Sequence, residues 1–199
     1  FFYMFRRFPI LRMSAEERKP DWGLMKILCG MGVPMGLQYS ITAIGSVVLQ
    51  TAVNSLGSMA VAAVSTGNKV SMFFCCPFDA LGGTMATWAG QNVGAEKPDR
   101  VRKGIRYGCI ITTVWSVIAL IILELLSPVL VKFLSGSEVD TVVTTGVNYL
   151  KFNVLFYIPL GILITLRCSL QGMGKKILPI LSSVIELLGK VIFTFAVIP

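Results

Sequence analysis

Residues 27–68 have the sequence ILCGMGVPMGLQYSITAIGSVVLQTAVNSLGSMAVAAVSTGN, a run of 42 residues without a charged side chain. A membrane-spanning helix needs about 20 apolar residues, so this run is long enough to supply two spans. The turn-forming cluster Asn54-Ser55-Leu56-Gly57-Ser58 divides it. The sequence therefore predicts one membrane helix over 24–54 and a second over 58–93.

The composition of the 199-residue chain agrees with a helical membrane protein. Hydrophobic residues make up 54% and charged residues 14%, and the mean hydropathy is +0.75. An ordinary soluble domain has about 25% charged residues, so this chain has too few to cover a water-facing surface. It has no histidine, which excludes Ser-His-Asp triads and His-Cys zinc sites. No metal-ligand spacing, phosphate loop or catalytic constellation is present, so we expect neither an enzyme nor a metal site.

Further apolar segments predict three more spans, over 104–134, 139–171 and 177–199. Residues 1–23 are predicted to be the end of a preceding apolar helix followed by a polar, basic linker. Residues 24–199 are predicted to form one unit with five spanning helices. Because both ends of the chain are apolar, we expect it to be a piece of a longer protein.

The basic residues predict the orientation. Short cytoplasmic loops of membrane proteins carry an excess of Lys and Arg, and 13 of the 18 basic residues fall on one side of the predicted spans. They are Arg6, Arg7, Arg12, Arg18, Lys19, Lys26, Lys97, Arg100, Arg102, Lys103, Arg106, Lys175 and Lys176. The linker is therefore predicted to be cytoplasmic. The net charge of +8 is spread over alternate loops instead of one continuous face, which favours a lipid bilayer over nucleic acid as the partner.

Ionisable residues inside apolar segments are costly and are functional candidates. Lys69 and Asp79 lie in the second span, and Asn68 lies on nearly the same helix face as Asp79. Asp79 follows Pro77, which can kink a helix. A carboxylate beside a kink could bind a proton or Na⁺. The alternative is a salt bridge between helices or a charge at the membrane interface.

Neutral polar residues give further candidates for a substrate or ion cavity. Gln38, Thr42 and Ser46 form one stripe on the first span, beside the pair Gly32 and Gly36. The stripe indicates either a cavity wall or close helix packing with hydroxyl groups bonded back to the backbone.

The last two spans contribute two further features. Asn153 and Tyr157 precede Pro159 in the fourth span, where a broken helix could line a cavity, and Lys151 could extend outward to the interface. Glu186 and Lys190 in the fifth span have the i, i+4 spacing of a structural ion pair.

Three segments together resemble the multidrug and toxic compound extrusion (MATE) family. They are GVPMGLQYSITAIGSVVLQTAVNSLGSMAVAA at 32–63, PFDALGGTMATWAGQNVGAEKPDRVRKGIR at 77–106 and RCSLQGMGKKILPILSSVIELLGK at 167–190. The resemblance covers nearly the whole chain and corresponds to the C-terminal half, helices seven to eleven of twelve. It implies an all-α polytopic membrane bundle, five helices of a six-helix MATE lobe, with the twelfth helix and the N-terminal half missing.

The resemblance also implies a function. MATE transporters export small amphiphilic, often cationic, compounds by alternating access coupled to Na⁺ or H⁺, with no covalently bound cofactor, and for this chain we expect the bacterial inner (plasma) membrane. In the NorM-like branch a glutamate lies eight residues after the proline of the GxP motif, where this chain has Thr42, and an aspartate would fall near Leu160. Coupling is then expected to depend on Asp79 or on the N-terminal half. The alternative is a flippase for lipid-linked oligosaccharide, for which Lys69 and Lys151 are the basic candidates.

Overall fold

The structure is a computed structural model that describes residues 2–8, 20–136 and 140–197. These residues form helices joined by short turns, with no strand among them, so the predicted all-α fold is confirmed. The helices are α1 Phe2–Arg7, α2 Trp22–Ser55, α3 Ser58–Gly94, α4 Pro98–Ser135, α5 Asp140–Val154, α6 Tyr157–Gly172 and α7 Ile177–Val197. Residues 9–19, most of the predicted linker, lie outside the described residues, as do 198 and 199 at the end of the fifth predicted span.

Four of the described helices, α2, α3, α4 and α7, are long and apolar enough to cross a membrane. Helices α5 and α6 together reach the same length and hydropathy, but a bend of 52° separates them. The described residues therefore contain five spans if the bent pair counts as one, which is the number predicted from the sequence. The architecture is that of a helical membrane bundle.

Local chemistry explains two of the helix starts. At α2 the Asp21 carboxylate oxygen Oδ1 accepts hydrogen bonds from the backbone N–H groups of Gly23 (2.7 Å) and Leu24 (3.2 Å), an N-cap that moves the start to Trp22. Helix α4 begins at Pro98, several residues before the predicted 104. Proline suits the first helical turn because the N–H that it lacks would be unpaired there. The predicted basic loop is therefore a short turn, and most of its charges lie in the first turns of α4.

The described part of the fourth predicted span, 140–171, is two helices, which agrees with the broken helix expected beside Pro159. Helix α5 ends at Val154 and α6 begins at Tyr157. Pro159 cannot donate a backbone hydrogen bond, and its ring would clash with the carbonyl of residue 155 in a continuous helix. The chain therefore turns at Leu155 and Phe156, and Pro159 takes a place in the first turn of α6.

The packed core lies where α3 meets α4, α5 and α6. Trp115 of α4 donates its indole N–H to the Phe74 carbonyl oxygen of α3 at 3.0 Å. The buried apolar side chains are Val70, Phe74, Phe78, Ala119, Leu123, Val131, Leu150, Val154 and Tyr157. We call α3–α6 the central bundle. Helices α2 and α7 pack mainly against each other and touch the central bundle along α3 and α6, and we call them the α2–α7 pair.

Close approach of helix backbones occurs in the central bundle and not at the Gly32 and Gly36 pair. A Cβ at Gly172 of α6 would overlap the Ala86 carbonyl oxygen of α3, and one at Gly90 would lie 3.0 Å from the Gly172 oxygen. Around Gly32 and Gly36, by contrast, no described atom of another helix lies within 4 Å of an ideal Cβ. No neighbouring helix among the described residues therefore packs closely on Gly32 and Gly36, whereas the back-bonded hydroxyl expected in the same interpretation is present at Ser46.

Candidate functional site

Two of the predicted cavity residues, Asn68 and Asn153, lie in one polar seam between α3 and α5. Tyr149 of α5 donates its hydroxyl to Asn68 Oδ1 of α3 at 2.7 Å. Asn153 of α5 donates through Nδ2 to Ser71 Oγ of α3 at 3.0 Å. Polar side chains between membrane helices are stabilised by such bonds across the helix interface. The seam therefore fixes α5 against α3, and its outer member Asn68 stays exposed.

Tyr157 lies in the packed core and not on an open wall. Its side chain is 1% exposed, and its ring meets Phe78 edge-on at 5.8 Å between centroids. The phenol oxygen has Ser71 and Cys75 as polar neighbours, yet no described atom meets hydrogen-bond geometry with it. This placement differs from the cavity-lining position expected from the sequence, because α6 begins at Tyr157 and turns that side chain toward α3.

Gln38 joins α2 to the end of α6. It is buried, and its Oε1 accepts a hydrogen bond from Gln171 Nε2 at 2.6 Å. Both side chains line a cavity of about 310 Å³ beside Lys175 and Lys176. Thr42, one turn further along α2, is half-buried, and its carbonyl oxygen accepts from the Ser46 hydroxyl at 3.2 Å. The predicted stripe therefore divides into one interhelical contact at Gln38 and a hydroxyl bonded back to its own helix.

Lys69 and Asp79 are both exposed on α3 and do not form an ion pair with each other. No carboxylate among the described residues lies within ion-pair distance of Lys69, and no cation lies within that distance of Asp79. The salt-bridge alternative is therefore wrong for them within the described ranges. Gly82, three residues after Asp79 on α3, lies against Ile164 and Cys168 of α6, so Asp79 is within one helical turn of the contact between α3 and α6.

Arg167 was missed by the sequence reasoning. Its Nη2 lies 3.0 Å from Ser182 Oγ and 3.0 Å from Glu186 Oε2, so it joins α6 to α7. Lys190 Nζ lies 2.9 Å from Glu186 Oε1, the i, i+4 contact that the spacing predicts. Arg167 is the one charged residue between 152 and 174. The rule that selected Lys69, a charge inside an apolar segment, would also have found it.

Lys151 of α5 and Glu124 of α4 form an ion pair with 2.7 Å between Nζ and Oε2. The sequence suggested only that Lys151 extends outward to the membrane interface. The structure pairs Lys151 with Glu124, with side chains 39% and 41% exposed. The pair links the outer parts of α4 and α5, and exposed pairs of this kind add little stability in water.

No group of three or more Cys, Asp or Glu side chains within the described ranges could hold a metal ion. The chemistry available is a set of single charges, amide groups and hydroxyls on helices of membrane-spanning length. Such groups bind small ions and solutes through charge and hydrogen bonds.

Comparison of the sequence with descriptions of protein families shows the family of the chain. The family description MatE matches residues 34–196, a range that includes α3 to α6 and most of α2 and α7. The chain belongs to the MatE family. The resemblance predicted from the three sequence segments is therefore confirmed.

Two curated relatives of this MatE chain are from Bacillus subtilis (strain 168). "Probable multidrug resistance protein YoeA" is 24% identical over 172 residues, which is 86% of this chain and 36% of the relative. "Probable multidrug resistance protein YpnP" is 25% identical over 160 residues, 80% of this chain and 36% of the relative. The chain thus spans little more than a third of the length of these relatives. No solved structure matches it significantly.

Proposed function

We propose that this chain is the C-terminal lobe of a cation-coupled multidrug antiporter in the plasma membrane of a bacterium. The family match over residues 34–196 carries the proposal, and the names of the two relatives support it. The missing N-terminal half would complete the transporter. The linker before α2 would be cytoplasmic, because the basic residues cluster on that side.

Asp79 is the proposed coupling group. It is an exposed carboxylate without an ion-pair partner among the described residues, so it is able to bind a proton or Na⁺ without first breaking a salt bridge. A membrane-buried acid that exchanges its ion is a common element of ion-coupled transport. Gln38, Thr42, Asn68 and Lys69 would contact the substrate.

Asn153 and Tyr157 would not contact the substrate but would fix the helices that carry the residues of this cavity. Asn153 is bonded to Ser71, and Tyr157 is packed against Phe78, so both hold α3 in its position relative to α5 and α6. The flippase alternative receives less support, because Lys151, one of its two basic candidates, is paired with Glu124.

Transport by the full-length protein that carries this chain tests the proposal. The protein is reconstituted into liposomes, and movement of the cationic dye ethidium is followed under an imposed Na⁺ gradient and, separately, an imposed H⁺ gradient. We expect one of the two gradients to drive dye movement and so to identify the coupling ion. If neither gradient moves dye, the proposed function is wrong.

Two variants then test Asp79 itself. We expect Asp79→Asn to lower the gradient-driven rate at least tenfold, because an amide cannot exchange a proton or supply the charge that binds Na⁺. Asp99→Asn is the matched control, since Asp99 is an exposed acid in the first turn of α4, and its rate should be unchanged. An Asp79→Asn variant with the wild-type ion dependence would exclude Asp79 as the coupling group and leave the transport proposal in place.

A further inference from the structure

A groove with a volume of about 690 Å³ runs between α6 and α7. We call it the α6–α7 groove. Its volume lies within the range of pockets that hold drug-sized molecules. Its walls are aliphatic apart from one polar group of side chains. The residues that line the groove and could contact an amphiphilic ligand are Leu163, Leu166, Leu170, Leu181, Arg167 and Glu186.

The polar side chains of the groove belong to a cluster with an excess positive charge. Arg167 and Lys190 are cations, and Glu186 is the one carboxylate in ion-pair contact with them among the described residues. The side chains are 13%, 28% and 29% exposed for Arg167, Lys190 and Glu186. A net charge held inside helices of membrane-spanning length is costly unless a counter-charge accompanies it. The cluster therefore lacks one negative charge.

Glu186 has two cationic partners, one on each side of the groove. Lys190 lies on its own helix, and Arg167 reaches it from α6. Glu186 and Lys190 alone make a neutral pair in the favourable acid-first order, so the surplus charge is that of Arg167. Its Nε is buried without a described hydrogen-bond partner. Asp79 of α3 does not come within ion-pair distance of Arg167.

We propose that the α6–α7 groove binds a single-chain amphiphilic carboxylic acid, with its carboxylate on Arg167 and its alkyl chain along the leucines. A guanidinium presents several N–H donors in a plane that matches a carboxylate. The ligand would compete with Glu186 for Arg167, and Glu186 would keep its bond to Lys190. No new unpaired charge arises, because one carboxylate replaces another on the same cation. This site is separate from the transport cavity and does not depend on the proposed function.

The depth of the cluster favours a free acid over a bilayer phospholipid. At 1.5 Å per residue, Arg167 lies about 8 Å from the end of α6, and Glu186 lies about 14 Å from the start of α7. Phospholipid headgroups lie outside the hydrocarbon core, which α7 is long and apolar enough to cross. A single-chain acid is able to slide into the groove until its carboxylate meets Arg167.

Equilibrium binding to the full-length protein in phosphatidylcholine liposomes tests the site without any ion gradient. The probe is cis-parinaric acid, and its methyl ester is the uncharged control. Binding is followed by energy transfer from the tryptophans of the protein to the bound probe. We expect saturable binding of the acid at least tenfold tighter than that of the ester. Equal binding of acid and ester would overturn the proposal.

Three variants separate a binding site from a structural ion pair. Glu186→Gln should tighten acid binding severalfold, because it removes the competitor and raises the cluster charge. Arg167→Gln should abolish the preference for the acid over the ester. Lys103→Gln, which removes an exposed cation of α4 outside the groove, should leave binding unchanged. If Arg167→Gln does not fold, Glu186→Gln still tests the proposal. Unchanged or weaker acid binding in Glu186→Gln would contradict the proposed site.

Competition identifies the source of the carboxylate. Oleic acid should displace the probe, whereas phosphatidylglycerol in the liposome membrane should not, because its phosphate cannot reach the depth of Arg167. Displacement by phosphatidylglycerol as efficient as that by oleic acid would show that the occupant is a bilayer lipid and would overturn the proposal for a free acid.

Discussion

Gly172, the last residue of α6, lies directly against the backbone of α3 at Ala86. Gly90 of α3 faces the Gly172 carbonyl oxygen in return. Glycine permits this crossing because it has no Cβ to hold the two backbones apart, and small residues serve the same purpose in many membrane helix pairs. The absence of a Cβ atom at Gly172 and Gly90 thus sets the distance between α3 and α6. The positions of Asp79 on α3 and Arg167 on α6 relative to each other depend on this distance.

Replacing Gly172 with alanine should destabilise the protein. The new Cβ would overlap the Ala86 carbonyl oxygen, a backbone atom that cannot move aside as a side chain can. We expect a loss of about 1–3 kcal/mol in the free energy of unfolding, the usual range for overpacking. The measurement is thermal unfolding in detergent, followed by circular dichroism.

Gly32→Ala is the matched control for this substitution. No described atom of another helix lies within 4 Å of a Cβ at Gly32, and alanine is favoured over glycine inside a helix by about 0.5–1 kcal/mol. Its melting temperature should stay the same or rise. A Gly172→Ala variant as stable as wild type would mean that α3 and α6 do not approach as closely as described.

At the scale of the element, the bend between α5 and α6 places the polar seam. Two residues separate the end of α5 from the start of α6, and the Phe156 N–H donates to the Asn153 carbonyl oxygen at 3.1 Å in the turn. The 52° bend lets Asn153 face Ser71 of α3 while Tyr157 enters the core. A straight helix over the same residues would rotate and displace these two side chains relative to each other.

Pro159→Ala should reduce this bend. Alanine restores a backbone N–H and removes the ring that would clash with the carbonyl of residue 155, so a continuous helix becomes possible. Spin labels at the exposed positions Thr145 and Leu166, in a cysteine-free background, report the change through their distance in pulsed electron resonance. We expect a longer mean distance in Pro159→Ala than with Pro159 present. An unchanged distance would show that tertiary contacts, and not the proline, hold the bend.

At the scale of the whole molecule, polar contacts join the α2–α7 pair to the central bundle. They are the hydrogen bond between Gln38 and Gln171 and the bonds of Arg167 to Ser182 and Glu186. Most of α2 is exposed, with Gln38, Gly45 and Val53 as its buried residues. Elements with few buried contacts open at lower free energy than a packed core, so the α2–α7 pair should be the more mobile part.

Gln38→Leu should loosen α2 while leaving α3 intact. The substitution removes the acceptor of the half-buried Gln171 amide, and the loss of such a hydrogen bond costs about 0.5–1.5 kcal/mol. Hydrogen exchange measured by mass spectrometry should show faster exchange in peptides of α2, with α3 unchanged. Gln50→Leu is the control, since Gln50 bonds to Asn54 within α2 itself. Equal acceleration in α2 and α3 would contradict a division into two parts.

The sequence by itself determined the helical membrane class, the five spans, the turn at residues 54–58 and the family. These follow from apolar length and turn-forming residues, which are local properties of the chain. It also identified Lys69, Asp79, Glu186 and Lys190 as charges in apolar segments, and the i, i+4 spacing of the last two predicted their ion pair.

Only the tertiary structure decided which polar groups meet. It placed Gln38 on Gln171, Asn68 on Tyr149 and Arg167 on Glu186, and it buried Tyr157 against Phe78. Contacts between residues far apart in sequence depend on how each helix is rotated and on where it bends. Those quantities are set by packing at glycines such as Gly172 and by the break before Pro159, so no periodicity within a single helix could supply them.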